Sequence, residues 1–271
     1  MAAYAERIAK PLMQSISSLD RRFFPMLAYD ILFLLVAIAV ALGAVTAIDR
    51  AATAHQDIFL RTNIVMGQLQ QSATPQDTAA LTEEATDIQK SFRNLFISTG
   101  LIVFVAYLVL VFFLSLFKGL IWSQILKQKF DRAFFRKFVQ LNYILWMAGL
   151  LALILLLRLI KMETLVIYLS IGMALFFYIL LNTYSLFDKK ESVWKILKNG
   201  LRTSAIRIHR FIVPYLIIFA VGLLVYWIVS MLIRYLPPVP FLAVTVGALF
   251  LLAVMVWVRF YIYENVKNMM S

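Results

Sequence analysis

The sequence predicts an all-α polytopic integral membrane protein whose chain crosses the bilayer six times. Of its 271 residues, 63% are hydrophobic and only 15% are charged, and the mean hydropathy is +0.86. Soluble domains are about half apolar, so this composition indicates a membrane protein. The sequence also contains six apolar runs, each near the ~20 residues that a membrane-spanning helix needs. These runs are residues 26–48, 95–117, 139–158, 163–186, 211–233 and 241–260.

The distribution of basic residues predicts how these helices are oriented. With the amino terminus in the cytoplasm, 19 of the 26 Lys and Arg residues lie on the cytoplasmic side, in agreement with the positive-inside rule. Asp and Glu divide equally between the two sides, so the whole net charge of +12 falls on the cytoplasmic face. Because this bias accounts for the basic charge, we expect no nucleic-acid partner. We expect a multi-pass protein of the plasma (cell) membrane with both termini in the cytoplasm.

The predicted spans divide the chain into three parts. The first carries an amphipathic repeat at Ile8, Leu12, Ile16 and Leu19. We expect span one to be retained rather than cleaved as a signal peptide, because its apolar run is long enough to cross the membrane. The first part is a cytoplasmic segment at 1–24. The second, at 25–117, contains spans one and two and the polar segment 49–94 between them. The third, at 118–271, contains spans three to six and the basic cytoplasmic helices 118–138 and 188–210.

The polar segment between spans one and two predicts an external antiparallel helical hairpin. Its turn lies in "SATPQD" (72–77), where Thr74, Pro75 and Asp77 match a helix start with a capping box. On both flanks, apolar residues recur in alternating steps of four and three, which places them on one helical seam. We expect each arm to continue an adjacent span and to project about 30 Å.

This seam is thin, and two interpretations of the hairpin stay open. It is either a structural extension packed on itself or a docking surface for a second copy of the chain or another protein. A metal-binding or pH-sensing role for His55 is less favoured than a seam histidine facing Phe92. The candidate docking residues are His55, Phe59, Met66, Leu69, Leu81, Ile88 and Phe92.

Two basic amphipathic helices are predicted on the cytoplasmic side. In 118–138, residues Trp122, Leu126, Phe130, Phe134 and Phe138 recur at intervals of four. In the second helix, a capping box of Asp188 and Glu191 precedes an apolar stripe of Trp194, Leu197, Leu201 and Ile208. Such helices lie in the interface and attract anionic headgroups, although simple connectors or sites for a cytosolic partner have the same pattern. The candidate lipid contacts are Lys127, Lys129, Arg132, Arg136, Lys137, Lys195, Lys198 and Arg202.

Polar residues inside the apolar runs are candidate functional residues, since charge is expensive in a bilayer. Asp30 lies about one turn into span one, where we expect it to pair with Arg21 or Arg22. Asparagines in spans three and four suit hydrogen bonds between helices. A small-residue seam at Ala39, Gly43 and Ala47 suits close helix contact, with internal packing preferred to a dimer face. The intramembrane polar candidates are Asp30, Asn142, Asn182, Arg158 and Glu163.

The residue inventory argues against catalysis. The chain has no cysteine and only two histidines, His55 and His209, so thiolate chemistry is excluded and zinc chemistry is disfavoured. No nucleophile elbow, zinc-protease motif or phosphate-binding glycine loop is present. We expect neither enzyme activity nor a cofactor.

The segment "WKILKNGLR" (194–202), repeated between spans in a similar form, carries a resemblance. It resembles uncharacterised prokaryotic six-span membrane proteins of the glycerophosphodiester phosphodiesterase membrane-domain type. The resemblance covers residues 95–265, and the polar segment 49–94 departs from it. The resemblance implies an all-helical protein with six spans, and it assigns no functional role to any residue of this chain.

Two functions follow from these patterns. The first is a non-enzymatic scaffold, adaptor or accessory subunit that presents the external hairpin and the basic cytoplasmic face to lipids and partners. The alternative is a small transporter or permease subunit with a polar path near Asp30. Transporters of the broken-helix type interrupt their spans at mid-membrane, whereas these spans read as unbroken, which favours the first function.

Overall fold

The computed structural model of the protein describes residues 2–17, 22–69, 75–235 and 240–270. Within these ranges the chain is helical apart from short connections, which confirms the predicted all-α class. The described helices are α1 (Ala2–Ser17), α2 (Phe23–Ala54), α3 (Gln56–Leu69), α4 (Pro75–Ile125), α5 (Arg132–Leu159), α6 (Met162–Ser185), α7 (Val193–Ile206), α8 (Ile208–Tyr235) and α9 (Pro240–Met270).

Six segments of the described chain are long and apolar enough to cross a membrane, so the protein is a polytopic membrane protein. Long helices suit this role because a helix satisfies its backbone hydrogen bonds internally, where lipid offers no partner. The segments are Phe23–Ala54, Thr82–Ile125, Arg132–Leu159, Thr164–Ser185, Ile208–Met231 and Thr245–Met269.

The chain forms two compact units whose boundaries fall inside helices. The first unit comprises residues 1–33 and 112–271, and the second comprises residues 34–111. Helices α2 and α4 therefore contribute residues to both units. The first unit contains the main aromatic core and the second contains the polar hairpin.

Aromatic side chains from α4, α5, α6 and the loop after α6 form the core of the first unit. Phe134 and Phe187 have ring centroids 4.8 Å apart, and Phe138 and Tyr184 have centroids 5.1 Å apart. Trp122 completes the group, with its ring centroid 5.6 Å from that of Tyr184. All five side chains are at most 2% exposed, so each buries a large apolar surface.

This core corrects the prediction of a basic amphipathic helix at 118–138. Helix α4 continues to Ile125, the chain turns through 126–131, and α5 begins at Arg132. Lys127 adopts a left-handed conformation (φ 54°), in which a helix cannot continue, and Asp131 caps α5 by accepting the N–H of Phe134 at 2.8 Å. The predicted aromatic stripe therefore divides between two helices, and its buried members contact protein.

Helix α7 corrects the second predicted basic helix, at 188–210. It runs from Val193 to Ile206 and is capped by Ser192, whose Oγ accepts the N–H of Lys195 at 3.3 Å. The expected capping box of Asp188 and Glu191 is not used: Asp188 accepts the N–H of Lys190 instead.

The buried face of α7 is also different from the predicted stripe. Ile196, Gly200 and Ser204 face the protein. Trp194 is 70% exposed and Leu201 is 44% exposed, so the predicted stripe lies largely on the outer face of the helix. Ile208, the last predicted member, is exposed at the start of α8.

Helix α1 packs against the carboxyl-terminal helix α9. Trp257 Nε1 donates a hydrogen bond to Ser15 Oγ at 3.2 Å, and Asn268 Nδ2 donates to Gln14 Oε1 at 3.3 Å. The face of α1 that packs here is not the predicted apolar stripe, because Ser15 is buried whereas Ile16, a member of that stripe, is exposed. The side chain of Ile8, and Leu19 altogether, lie outside the described residues.

Helices α7 and α6 come close together at Gly200. A Cβ atom added there would lie 3.0 Å from Thr183 Cα and 2.9 Å from Thr183 Cβ, and backbone atoms do not move aside easily. We expect Gly200→Ala to lower the free energy of unfolding by about 1–3 kcal/mol through overpacking. Thermal unfolding of the detergent-solubilised protein measures this.

The matched control is Gly222→Ala on α8, where an added Cβ meets nothing within 4 Å. This control should leave stability unchanged or raise it by about 0.5–1 kcal/mol, because alanine is the better helix former. Equal effects of the two substitutions would contradict the close α6–α7 contact.

Candidate functional site

A buried ion cluster lies where α2, α4 and α9 meet in the first unit. The carboxylate of Asp30 accepts Arg259 Nη1 at 2.5 Å on Oδ2 and Arg259 Nη2 at 3.1 Å on Oδ1. Lys118 Nζ donates to Oδ1 at 2.6 Å. Asp30 is 2% exposed and Arg259 is 4% exposed, so both are almost fully withdrawn from the surroundings.

The cluster corrects the expected partner of Asp30. Arg22 does not pair with it: its guanidinium lies 5.6 Å from the ring centroid of Phe260 and donates to the backbone oxygen of Gln124 at 3.3 Å. Arg21 lies outside the described residues. Lys118 and Arg259 were missed as site residues, although the sequence held a signal, since Arg259 stands inside the sixth apolar run.

The chemistry of this cluster is that of a closed ion group. Three hydrogen bonds from two cations engage the carboxylate, and the Lys118 ammonium also lies 5.6 Å from the ring centroid of Phe33. Buried charges are tolerated only when paired and hydrogen-bonded, so each member depends on the others. The arrangement joins three helices.

The asparagines predicted inside spans three and four connect helices. Asn142 Nδ2 donates to the backbone oxygen of Phe138 at 2.9 Å, and its Oδ1 accepts the hydroxyl of Tyr184 from α6. Asn182 Nδ2 donates to Ser204 Oγ on α7 at 3.2 Å. Both asparagines are fully buried. These hydrogen bonds satisfy both amide atoms of Asn142 and the Nδ2 atom of Asn182, groups that would otherwise be costly inside the protein, whereas Asn182 Oδ1 has no hydrogen-bond partner among the described residues.

Two other predicted features lie on the outside of the described chain. Arg158 is exposed at the end of α5, and the side chain of Glu163 lies outside the described residues. On α2, Ala39 and Gly43 are exposed and Ala47 is half-buried, and a Cβ added to Gly43 would meet nothing within 4 Å. The preference for internal packing of this small-residue seam is therefore wrong at Ala39 and Gly43.

The loop after α4 and the loop after α6 contact each other. The candidate lipid-contact residues lie on and near these loops and are called the basic face. Gln128 Nε2 donates to the backbone oxygen of Phe187 at 3.2 Å, and Gln128 Oε1 accepts the N–H of Lys189 at 3.3 Å. Lys189 Nζ lies 2.6 Å from Asp131 Oδ2. Lys137 Nζ donates to the backbone oxygens of Lys189 and Glu191, each at 2.7 Å.

The candidate lipid-contact residues surround these loops. Lys137 is half-buried, because its ammonium holds the second loop in place. The others present exposed side chains, and Lys195 is paired with Glu191 at 2.7 Å. The exposed members are Lys127, Lys129, Arg132, Arg136, Lys195, Lys198 and Arg202.

The hairpin is formed by α3 and the first part of α4, within the second unit. Ile58, Val65 and Ile88 are the buried residues of its seam, with Ala85 and Phe92 packed against them. The predicted residues Ile88 and Phe92 lie in this seam. The predicted turn residues 72–74, with Thr74, and the side chains of Phe59, Met66, Leu69 and Leu81 lie outside the described residues.

The first arm of the hairpin is not continuous with span one, which corrects the prediction for that arm. Helix α2 ends at Ala54 and α3 begins at Gln56, with backbone hydrogen bonds of the tighter i→i+3 type at His55 (3.1 Å to Ala52 and 3.0 Å from Ile58). This turn changes the helical phase, so that Ile58 and Val65 face the seam. The second arm is continuous with span two, since α4 runs unbroken from Pro75 to Ile125.

The arms also pair through charge, and the described part of the chain offers no cluster for a metal. Arg61 Nη2 lies 3.0 Å from Glu84 Oε1 across the hairpin. His55 is half-buried. Among the described residues, no three His, Cys, Asp or Glu side chains lie close enough together to hold an ion.

Comparison with protein families, with curated proteins and with solved structures finds no match for this chain.

Substitution of Asp30 tests the structural role of the ion cluster. Asp30→Asn leaves the buried Arg259 and the partly buried Lys118 without a counter-charge, and we expect it to destabilise the protein by about 3–5 kcal/mol. Arg259→Gln should cost less, because Lys118 still pairs with the carboxylate. Adding Arg259→Gln to Asp30→Asn should recover part of the loss, which a double-mutant cycle on thermal stability measures. An Asp30→Asn variant with the same thermal stability as the parent would contradict this structural role.

The Asp131–Lys189 pair makes the docking of the two loops sensitive to acid. The Lys189 ammonium and the Phe134 N–H hold the pKa of the Asp131 carboxyl below its ordinary value. Its stabilising contribution is therefore present at neutral pH and is lost as the pH falls through the lowered folded pKa. Asp131→Asn, which keeps an acceptor for the Phe134 N–H, should be less stable than the parent at pH 7, and this difference should disappear once the pH lies below the lowered folded pKa of Asp131.

The control for this measurement is Asp87→Asn in the hairpin, where the carboxylate is 62% exposed and pairs with Lys90 at 3.1 Å. Exposed pairs contribute little, so this variant should follow the parent at every pH. A stability difference between Asp131→Asn and the parent that persists unchanged into acid would show that charge on Asp131 is not its cause.

Proposed function

We propose that the protein is a non-enzymatic membrane scaffold or accessory subunit that docks a partner through its helical hairpin. The observation that supports this is that the described core of the hairpin is formed between its own two arms, with Ile58, Val65 and Ile88 as its described buried apolar residues. A hairpin of two helices is marginal alone, because most helical stability comes from tertiary packing. A second hairpin or another protein would supply the missing contacts.

The proposal places the hairpin outside the cell and the basic face in the cytoplasm. The charge bias of the sequence supports this orientation in the plasma membrane, with both termini inside. The exposed cations around the two paired loops would then meet the anionic headgroups of the inner leaflet. Partner docking and lipid contact would occur on opposite sides of the membrane.

A transporter or permease subunit would need Asp30 to accept a moving cation or proton. The carboxylate is instead engaged by Lys118 and Arg259 in the first unit. This arrangement favours a fixed structural role for Asp30, and so it favours the scaffold over the transporter.

A single introduced cysteine tests the proposal, because the natural chain has none. Gly67→Cys places a thiol on the exposed side of α3, where an added Cβ meets nothing within 4 Å. In intact cells, a membrane-impermeant bifunctional thiol reagent should cross-link this variant. A product of twice the chain mass indicates a second copy, and a product of another mass indicates a different protein.

Two control variants separate docking from topology. Lys198→Cys, on the exposed side of α7, should react only after lysis. Val65→Cys, at a position 3% exposed in the seam, should react poorly in both samples. Labelling of Gly67→Cys without any cross-linked product would overturn docking, and labelling of Lys198→Cys in intact cells would overturn the orientation.

A further inference from the structure

A groove of about 730 Å³ opens between the first turns of α5 and the start of α7, within the first unit. One part of its wall is polar, with Lys137, Lys190 and Ser192. Another part is apolar, with Val139, Ile144 and Trp194. The groove therefore combines cationic and apolar contacts in one site.

The position of the groove along α5 fits the boundary between headgroups and acyl chains. Its α5 residues, 137–144, follow the start of the helix at Arg132 by five to twelve residues, or roughly 8–18 Å at 1.5 Å per residue. Trp194, which is 70% exposed, stands at its edge, and tryptophan is enriched at the membrane interface.

The polar part of the groove has an excess of positive charge. The segments 128–145 and 186–198, which build this face, contain eight Lys or Arg residues and three carboxylates. Each carboxylate is already engaged within the chain: Asp131 by Lys189, Glu191 by Lys195, and Asp188 by the N–H of Lys190.

Two of the remaining cations, Lys137 and Lys190, line the groove and can meet an anion. The structure gives the side chain of Lys190 no ion pair among the described residues, and this side chain is exposed. Lys137 Nζ donates two of its three hydrogens to the backbone oxygens of Lys189 and Glu191, which leaves one N–H for a ligand.

We propose that this groove binds one anionic phospholipid, with its phosphate beside Lys137 and Lys190 and an acyl chain along Val139, Ile144 and Trp194. The charge excess selects an anion, and the apolar wall selects a molecule with a hydrocarbon chain. The site deepens the proposed function, since it assigns one lipid to a defined place on the basic face. It does not depend on partner docking by the hairpin.

Native mass spectrometry of the full-length protein in neutral detergent tests the proposal. We expect phosphatidylglycerol to bind with a one-to-one component that phosphatidylcholine lacks. Lys190→Gln should weaken that component roughly fivefold, the effect of about one surface cation on an anionic lipid. Lys198→Gln on α7 removes the same charge outside the groove, and it should change the affinity less than twofold.

The apolar wall has its own pair of variants. Trp194→Ala should weaken phosphatidylglycerol binding, whereas Trp227→Ala, at a similarly exposed position on α8, should not. Inorganic phosphate in excess should fail to displace the lipid. Equal losses from Lys190→Gln and Lys198→Gln, equal binding of phosphatidylcholine, or displacement by free phosphate would each overturn the site.

The cysteine cross-linking through Gly67 reports separately on the scaffold proposal. Lipid binding without cross-linking would retain the groove and reject docking by the hairpin. Cross-linking without a specific lipid component would do the reverse. Lys190→Gln and Trp194→Ala alter exposed side chains, so an unchanged melting temperature verifies that a loss of binding reflects the groove.

Discussion

The paired charge of Asp30 is the interaction on which the packing of the first unit depends. A carboxylate withdrawn into an apolar interior must be compensated, and here Lys118 and Arg259 provide the compensation from two other helices. The contact with Arg259 is directional, because a guanidinium presents its N–H groups in one plane. Met26 and Phe260, close to Asp30 and Arg259 in sequence, are at most 2% exposed, so the apolar core begins beside the ion cluster.

The sequence predicts the properties of each helix taken singly, such as its length and hydropathy. It does not predict which helices contact each other. Hydropathy and length predicted the six spans because lipid solvates a helix without reference to its neighbours. The period-four repeat of Phe134 and Phe138 could not distinguish lipid from protein contact. Trp194 and Ile196 show the same limit on α7, since both are apolar and only Ile196 is buried. The partners of Asp30 are distant in sequence, so the pattern within any single span does not reveal them.

The two arms of the hairpin show how a local signal decides what can be predicted. Pro75 marks the start of the second arm, where the missing N–H of proline does no harm, and the described helix begins at that residue. The interruption at His55 has no comparable signal in composition. It consists of two i→i+3 hydrogen bonds, which change the phase of every following residue on that arm. The seam therefore uses Ile58 and Val65, residues that the uninterrupted period placed on another face.

The ion cluster also makes the end of the chain necessary for the stability of its beginning. Asp30 and Lys118 are separated by 88 positions, whereas Asp30 and Arg259 are separated by 229. At translation rates of roughly 5–20 residues per second, the carboxylate would precede its guanidinium partner by about 10–45 s. Lys118 follows Asp30 much sooner and can neutralise it by charge alone. Loss of the last helix would therefore leave the carboxylate with one counter-ion but without the two-point contact of Arg259, so a truncated chain would lack the link between its first and last spans.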